Sequence, residues 1–208
     1  SGYLALKDVT LYVNKAFEEA AKYGHVHVLQ FLIDWCEDDQ RNGIYESILT
    51  IGDAQLGYML YWASYNGHLN VLQFLKNWSD KSEIWQNNKP EVWQNNKPEV
   101  WQNNKPWPWP HHLTVNDIRP QKHENYLGTA ARRGHLHILH FFKDWKTQKS
   151  DGTWDQLTPE DVRFDNNFAF HQAAAVGHLE VCKFLKEWGQ LTIKDVRAKN
   201  NAAFQYAA

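Results

Sequence analysis

Between Val28 and Trp35 the chain places apolar residues at Val28, Leu29, Phe31, Leu32 and Trp35 and keeps His27, Gln30 and Asp34 polar, steps of three and four that describe one face of an α-helix. The same order returns at Val181, Cys182, Phe184, Leu185 and Trp188, with Glu180, Lys183 and Glu187 between them. It belongs to a unit written four times: "AAKYGHVHVLQFLIDW", "ASYNGHLNVLQFLKNW", "AARRGHLHILHFFKDW" and "AAVGHLEVCKFLKEW". The Gly-His pairs begin at Gly24, Gly67, Gly134 and Gly177, so successive units are 43, 67 and 43 residues apart and their loops differ in length. Upstream of each glycine a small pair (Ala20-Ala21, Ala63-Ser64, Ala130-Ala131, Ala173-Ala174) marks a shorter helix that packs closely on its neighbour. Glycine at the junction suits a left-handed helix end. The pattern predicts antiparallel helix pairs over 15–23 with 26–35, 58–65 with 69–78, 125–132 with 136–145 and 168–175 with 179–188. Phe31, Phe74, Phe141 and Phe184 are expected to be buried between neighbouring pairs.

A third element precedes the pair: "LTVNDIR" at Leu113, "LTPEDVR" at Leu157, "LTIKDVR" at Leu191 and a weaker "LALKDVT". Thr158, Pro159 and Asp161 have the order of a helix start, with a capping hydroxyl, a first-turn proline and an acidic third position, so one short helical turn is expected there. A fifth start, "NNAAFQYAA", echoes "NNFAFHQAA" at a shift of 34 residues, from Asn166 to Asn200, which is the bare unit without an insert. The repeats then read as 4–36, 49–78, 113–145, 157–189 and a partial 191–208 within a single domain, 1–208. The fifth first helix ends where the next Gly-His-Leu should begin, which suggests a piece of a longer array; the Ser-Gly start without Met likewise suggests a trimmed chain.

All excess length falls between the helix-end Trp and the next "LT", at 36–48, 79–112 and 146–156. The longest insert, 79–112, contains an eight-residue phrase, WQNNKPEV, that restarts at Trp85, Trp93 and Trp101, with prolines at Pro90, Pro98 and Pro106 that exclude another helix pair. Lengthening a surface loop costs only about 0.6 kcal/mol per doubling, so such a duplication is tolerated.

The four units, and "AAVGHLEVCKFLKEWG" most closely, resemble the ankyrin-repeat family, in its run of small residues, its Gly-His-Leu, its Glu-Val and its Leu-rich helix end. The chain departs from that family at "NNFAF", where the family has Thr-Pro-Leu-His, and after the second helix, where "LTxxDVR" and the inserts replace a tight hairpin. The resemblance implies an all-α fold, a curved α-solenoid of stacked helix pairs with long loop insertions on one edge. It also implies a protein-binding module without catalytic residues. Repeats of this style resemble those of large DNA viruses and protists.

Composition narrows the remaining classes. The 208 residues are 43% hydrophobic and 22% charged, enough to bury a core, and the net charge of −2 gives no positive surface to wrap nucleic acid. Two cysteines, Cys36 and Cys182, at non-equivalent repeat positions fit a reducing compartment, so an intracellular protein is expected, cytoplasmic or nuclear, in a host cell or virion if viral. No apolar run approaches the ~18 residues of a membrane span.

Four of the eleven histidines (His25, His68, His135, His178) fill one repeat position and are expected to form a ladder that bonds neighbouring loops. The alternative is a metal site in "GHLHILH", with His135, His137 and His140, and beside it His111-His112, but metal ligation wants three or four converging groups. Trp35, Trp78, Trp145 and Trp188 share one offset and close the core, whereas Trp62, Trp85, Trp93, Trp101, Trp107, Trp109 and Trp154 lie outside the repeat pattern. Insert tryptophans either pin their own loops or serve as binding anchors. No nucleophile–base pair, carboxylate pair or phosphate-cradling glycine loop is present, so no enzyme and no cofactor is expected.

The reading is a protein–protein interaction module whose partner surface is Trp85, Trp93, Trp101, Trp107, Trp109 and Trp154 with Asn95, Asn96 and Lys97. Two alternatives stand beside it. One is a structural building block of a larger assembly, through self-assembly or continuation of the array. The other is metal or single-stranded nucleic-acid binding by the histidines and the Trp/Asn/Lys insert.

Overall fold

The structure, a computed structural model, describes residues 15–41, 53–87, 113–122 and 124–196. Four helix pairs follow one another: α1 (15–22) with α2 (Val26–Arg41), α3 (Asp53–Asn66) with α4 (Leu69–Asn87), and, after a short α5 (Val115–Ile118), α6 (Tyr126–Arg132) with α7 (Leu136–Asp144). A two-stranded hairpin, β1 (Lys146–Gln148) and β2 (Trp154–Gln156), separates the third pair from the fourth. The fourth is α9 (Phe164–Val176) with α10 (Leu179–Trp188), flanked by the short α8 (Pro159–Val162) and α11 (Ile193–Val196). The pairs expected from the apolar spacing are therefore present, and the protein is mostly helical.

Each pair turns at its glycine, held at φ +75, +78, +75 and +83 in Gly24, Gly67, Gly134 and Gly177. At Gly67 there is a second reason for glycine: a Cβ would stand 2.8 Å from the His135 ring of the next unit. That ring belongs to a ladder. His68 Nε2 donates to the Lys22 carbonyl (2.9 Å), His135 Nε2 to the Tyr65 carbonyl (3.0 Å) and His178 Nε2 to the Arg132 carbonyl (3.1 Å). In each case the acceptor lies two residues before the preceding unit's glycine, a carbonyl that the helix end would otherwise leave without a partner. A second rung lies beside it, with Asn70 Nδ2 on the Gly24 carbonyl (3.1 Å) and His137 Nε2 on the Gly67 carbonyl (2.9 Å). The fourth unit has Glu180 at that position; a carboxylate cannot donate, and it pairs with Lys183 instead (2.7 Å).

The three short turns α5, α8 and α11 are closed by a Thr–Asp pair each. Thr114 N and Oγ1 both donate to Asp117 (2.7 and 2.8 Å), Thr158 does the same to Asp161 (2.8 and 3.1 Å), and Thr192 to Asp195 (2.7 and 2.6 Å). These are the turns that "LTxxDVR" predicts; "LALKDVT" lies outside the described residues. Between α8 and the continuous part of α9, Asp165, Asn166 and Asn167 all hold positive φ (49, 54 and 64), the conformation that Asp and Asn tolerate best among non-glycine residues. Buried Asn167 ties that bend forward, donating from Nδ2 to the Asp195 carbonyl (3.0 Å).

Four expectations are corrected. The insert 146–156 is not an irregular loop in a purely helical chain: it forms the β1–β2 hairpin, with Lys146 opposite Gln156 and Gln148 opposite Trp154. The inserts at 36–48 and 79–112 begin later than expected, because α2 continues to Arg41 and α4 to Asn87. Phe31 is 62% exposed rather than buried. Its counterparts Phe74, Phe141 and Phe184 are only half-buried, and the residue after each of them (Leu75, Phe142, Leu185) is the one sealed in the core. The physical reason is that this Phe position faces the preceding unit rather than the core of its own: Phe184 lies 4.3 Å from the His140 ring, with Lys143 Nζ 5.3 Å from its centroid. Trp145 and Trp188 do close the core, and Trp78 is half-buried.

Candidate binding surface

The first helices of successive pairs lie side by side, α6 against α3 and α9 against α6. On α3 one side (Leu56, Met59, Leu60, Ala63) enters the core. The other side carries Tyr58, Tyr61, Trp62 and Tyr65 at steps of three and four, so α3 is apolar almost all the way round. Tyr58 is 54% exposed and Tyr61 38%.

Three of these rings, Tyr61, Trp62 and Tyr65, are held to one another. Tyr61 meets Trp62 edge-on (centroids 5.3 Å apart) and stacks on Tyr65 (5.9 Å), while Trp62 meets Tyr65 edge-on at 5.6 Å. Cations flank the group on both sides. Lys22 Nζ of the first unit stands 5.0 Å from the Trp62 ring and 5.2 Å from Tyr23, and the Arg133 guanidinium of the third unit stands 4.5 Å from Tyr65. Such contacts are worth about 0.5–1 kcal/mol each at exposed sites, enough to orient long side chains over the rings. The backbone beneath is fixed as well: Asn66 Nδ2 and His68 Nε2 both donate to the Lys22 carbonyl, and Ser64 Oγ donates to the Leu60 carbonyl (2.7 Å). Arg132, exposed beside Arg133, adds a third cation, and Glu19 draws Lys22 weakly at 3.5 Å.

Of the nine residues that sequence reasoning assigned to the partner surface, Trp154 is the one whose side chain is described. It projects from β2 at 64% exposure, opposite Gln148. Trp85 falls on α4 rather than in a loop, with only its backbone described, and Trp93, Asn95, Asn96, Lys97, Trp101, Trp107 and Trp109 lie outside the described residues. The α3 aromatic side was not among them, although Trp62 stood apart as a tryptophan that the repeat does not explain. The spacing of Tyr58, Tyr61 and Tyr65 around it was the available signal.

The three histidines of "GHLHILH" are used separately: His135 and His137 bond different carbonyls, and His140 lies on Phe184. Burial, first, and then the charges of its neighbours hold His135 below the usual histidine range, against the pull of its bond to Tyr65. Half-buried Cys182 is pushed upward by burial and so stays a thiol at neutral pH. Among the described residues no three His, Cys, Asp or Glu side chains converge as metal ligands, and no helix is long and apolar enough to cross a membrane.

Comparison with known proteins returns no match: no family model, no curated protein and no solved structure resembles the chain closely enough to assign it.

Proposed function

We propose that the chain is a protein-recognition array of ankyrin type, a stack of helix pairs whose first-helix side holds an acidic, apolar segment of a partner protein. The observation that carries this reading is the row Tyr58, Tyr61, Trp62 and Tyr65, the last three in mutual ring contact and flanked by Lys22 and Arg133. Tyr, Trp and Arg dominate binding hot spots, because large, stiff side chains lose little entropy on contact. A row of rings gives an apolar anchor its seat, and the cations beside it select negative charge. Trp154 on the hairpin and the insert tryptophans Trp85, Trp93, Trp101, Trp107 and Trp109, with Asn95, Asn96 and Lys97, are secondary contacts in this reading, since the inserts follow the second helices, at the end of each pair away from its Gly-His turn. No catalytic step is assigned to the chain.

The test is selection of displayed peptides on the full chain. Acidic sequences carrying aliphatic or aromatic anchors are expected, and their enrichment is lost in Tyr61→Ala and reduced in Arg133→Ala. Selection of basic sequences, or equal enrichment on both variants, would overturn the reading. Binding of single-stranded oligonucleotides that weakens steeply with salt would move the same rings to a nucleic-acid role.

A further inference from the structure

We infer that the segment held on the α3 side is bipolar: its acidic residues lie over the Gly-His end of the first helices, and its apolar anchor lies over Tyr58, at the opposite end of the aromatic row. This rests on the reading of that side as a protein-binding surface and adds to it an orientation and a charge order in the partner.

The row is about 10 Å long, since Tyr58 and Tyr65 are seven residues apart on α3. Its two ends differ in charge. α1, α3 and α6 each run toward their own glycine turn, and the last positions of α1 and α6 are Lys22 and Arg132, followed in the third unit by Arg133. Cations are favoured there by the negative end of the helix dipole. Two of them reach the rings, Lys22 Nζ at 5.0 Å from Trp62 and the Arg133 guanidinium at 4.5 Å from Tyr65, and both contacts fall on the half of the row nearer Gly67. Arg132 is exposed beside them, and His25, His27 and His137 are exposed on the same turns. Glu19 opposes this group, at 3.5 Å from Lys22.

The Tyr58 end is different. Glu124, exposed just before α6, stands beside the α3 backbone there: a Cβ placed on Gly57 would lie 3.8 Å from its Oε1 and 3.5 Å from the Tyr126 hydroxyl. Its other oxygen accepts from that hydroxyl at 3.4 Å, which keeps the carboxylate next to the helix. Lys15 and Lys122 are exposed toward the same ends of α1 and α6, and half-buried Glu18 follows on α1, so charges of both signs are mixed here.

The occupant follows from this difference. An acidic residue near Trp62 and Tyr65 meets Lys22, Arg132 and Arg133, whereas the same residue over Tyr58 meets Glu124. An aliphatic or aromatic side chain over Tyr58, which is 54% exposed, covers a ring without confronting a like charge. Juxtaposed like charges are the means by which an interface rejects a wrong register. A strand with a negative charge at every step, such as single-stranded nucleic acid, cannot satisfy both ends.

Fluorescence anisotropy on the full 208-residue chain tests the order, with labelled peptides of one composition, equal in glutamate and leucine, arranged as two blocks or interspersed. The blocks are made in both chain directions. The better block peptide is expected to bind roughly fivefold tighter than the interspersed one, the scale that a few exposed ion pairs supply. Glu124→Lys, an exposed change at the Tyr58 end, should tighten the interspersed peptide and leave the block peptide unchanged. Lys22→Gln combined with Arg133→Gln should cancel the preference for the block order. Should that double variant lose its helical circular-dichroism signal, Arg132→Gln replaces it and is expected to narrow the preference. Equal binding of both orders, lost in Tyr61→Ala, would overturn the charge order and leave the binding surface standing. Failure of every peptide to bind, or tighter binding of a short oligothymidylate than of either block peptide, would overturn both.

Discussion

His178 lies directly over Gly134: its Nε2 donates to the Arg132 carbonyl at 3.1 Å, and its Nδ1 and Cε1 stand 2.7 Å from the point where a Cβ on Gly134 would be. Ring and glycine are thus two parts of one contact, in which the missing side chain below makes room for the ring above.

Gly134 and Gly177 separate the two demands on that glycine. Both have positive φ, so alanine at either carries a backbone cost of about 1–2 kcal/mol. At Gly134 the added carbon also strikes His178, whereas at Gly177 it meets nothing among the described residues within 4 Å. Gly134→Ala should therefore destabilise by roughly 1–3 kcal/mol more than Gly177→Ala, the usual cost of overpacking. Urea unfolding of the pair measures the difference; equal losses would mean that the ring moves aside freely.

Acid should cost stability at His135, because burial there disfavours the charged ring. His135 titrates below its ordinary value of 6.5 in the folded chain, so the unfolded chain takes up the proton first as pH falls. Its contribution is complete above pH 6.5 and is lost as pH falls from there through the lowered folded value. Melting temperatures across that window should fall less steeply in His135→Ala than in the wild-type chain. Parallel slopes would show that His135 bears no part of the acid sensitivity.

Neighbouring phenylalanines on α7 should behave differently. Phe142 is fully buried and Phe141 half-buried. Phe142→Ala should cost about 3–5 kcal/mol, in the range for a large core truncation, and Phe141→Ala clearly less. Chemical denaturation ranks them, and the reverse order would mean that the core-facing side of α7 has been misplaced.

Arg119 joins three segments. Its NH1 bonds Asp161 in the α8 capping box (2.8 Å) and its NH2 bonds Asp155 on β2 (2.9 Å). Burial alone would lower the pKa of this guanidinium, but the two carboxylates outweigh it and hold the charge in place. Arg119→Ala should cost about 1.5–3 kcal/mol, as expected for hydrogen bonds to charged groups. Arg119→Lys should recover little, because a single ammonium does not span two carboxylates as the guanidinium fork does. Hydrogen exchange should report the loss first in the hairpin amides; full rescue by lysine would reduce the contact to net charge.

The helix pairs, their turns and the histidine ladder were legible in the sequence because each rests on a residue type that physics makes hard to replace at a fixed offset. Gly67 needs both positive φ and an absent Cβ, and Thr158 with Asp161 writes a capping box in two letters. Less legible was the choice between Phe141 and Phe142. Adjacent positions on a helix fall within one apolar stripe, and only the neighbouring unit decides which of them points inward. The hairpin was hidden because three-residue strands such as "KTQ" and "WDQ" show too little alternation to register. The aromatic side of α3 was hidden for the opposite reason: with Met59 and Leu60 on one side and Tyr61 and Trp62 on the other, the helix is apolar throughout and its period disappears.

The ladder counts units rather than residues. Its bonds join Lys22 to His68, Tyr65 to His135 and Arg132 to His178, across 46, 70 and 46 positions of chain, with the same atoms meeting each time. The longer middle span exceeds the others by 24 positions, the length of three eight-residue phrases of the kind that restarts at Trp85, Trp93 and Trp101. Register is set at the Gly-His end of each pair and length is added to the chain after the other end, so a slip during copying that multiplies the phrase leaves the atoms that meet at the joints unchanged.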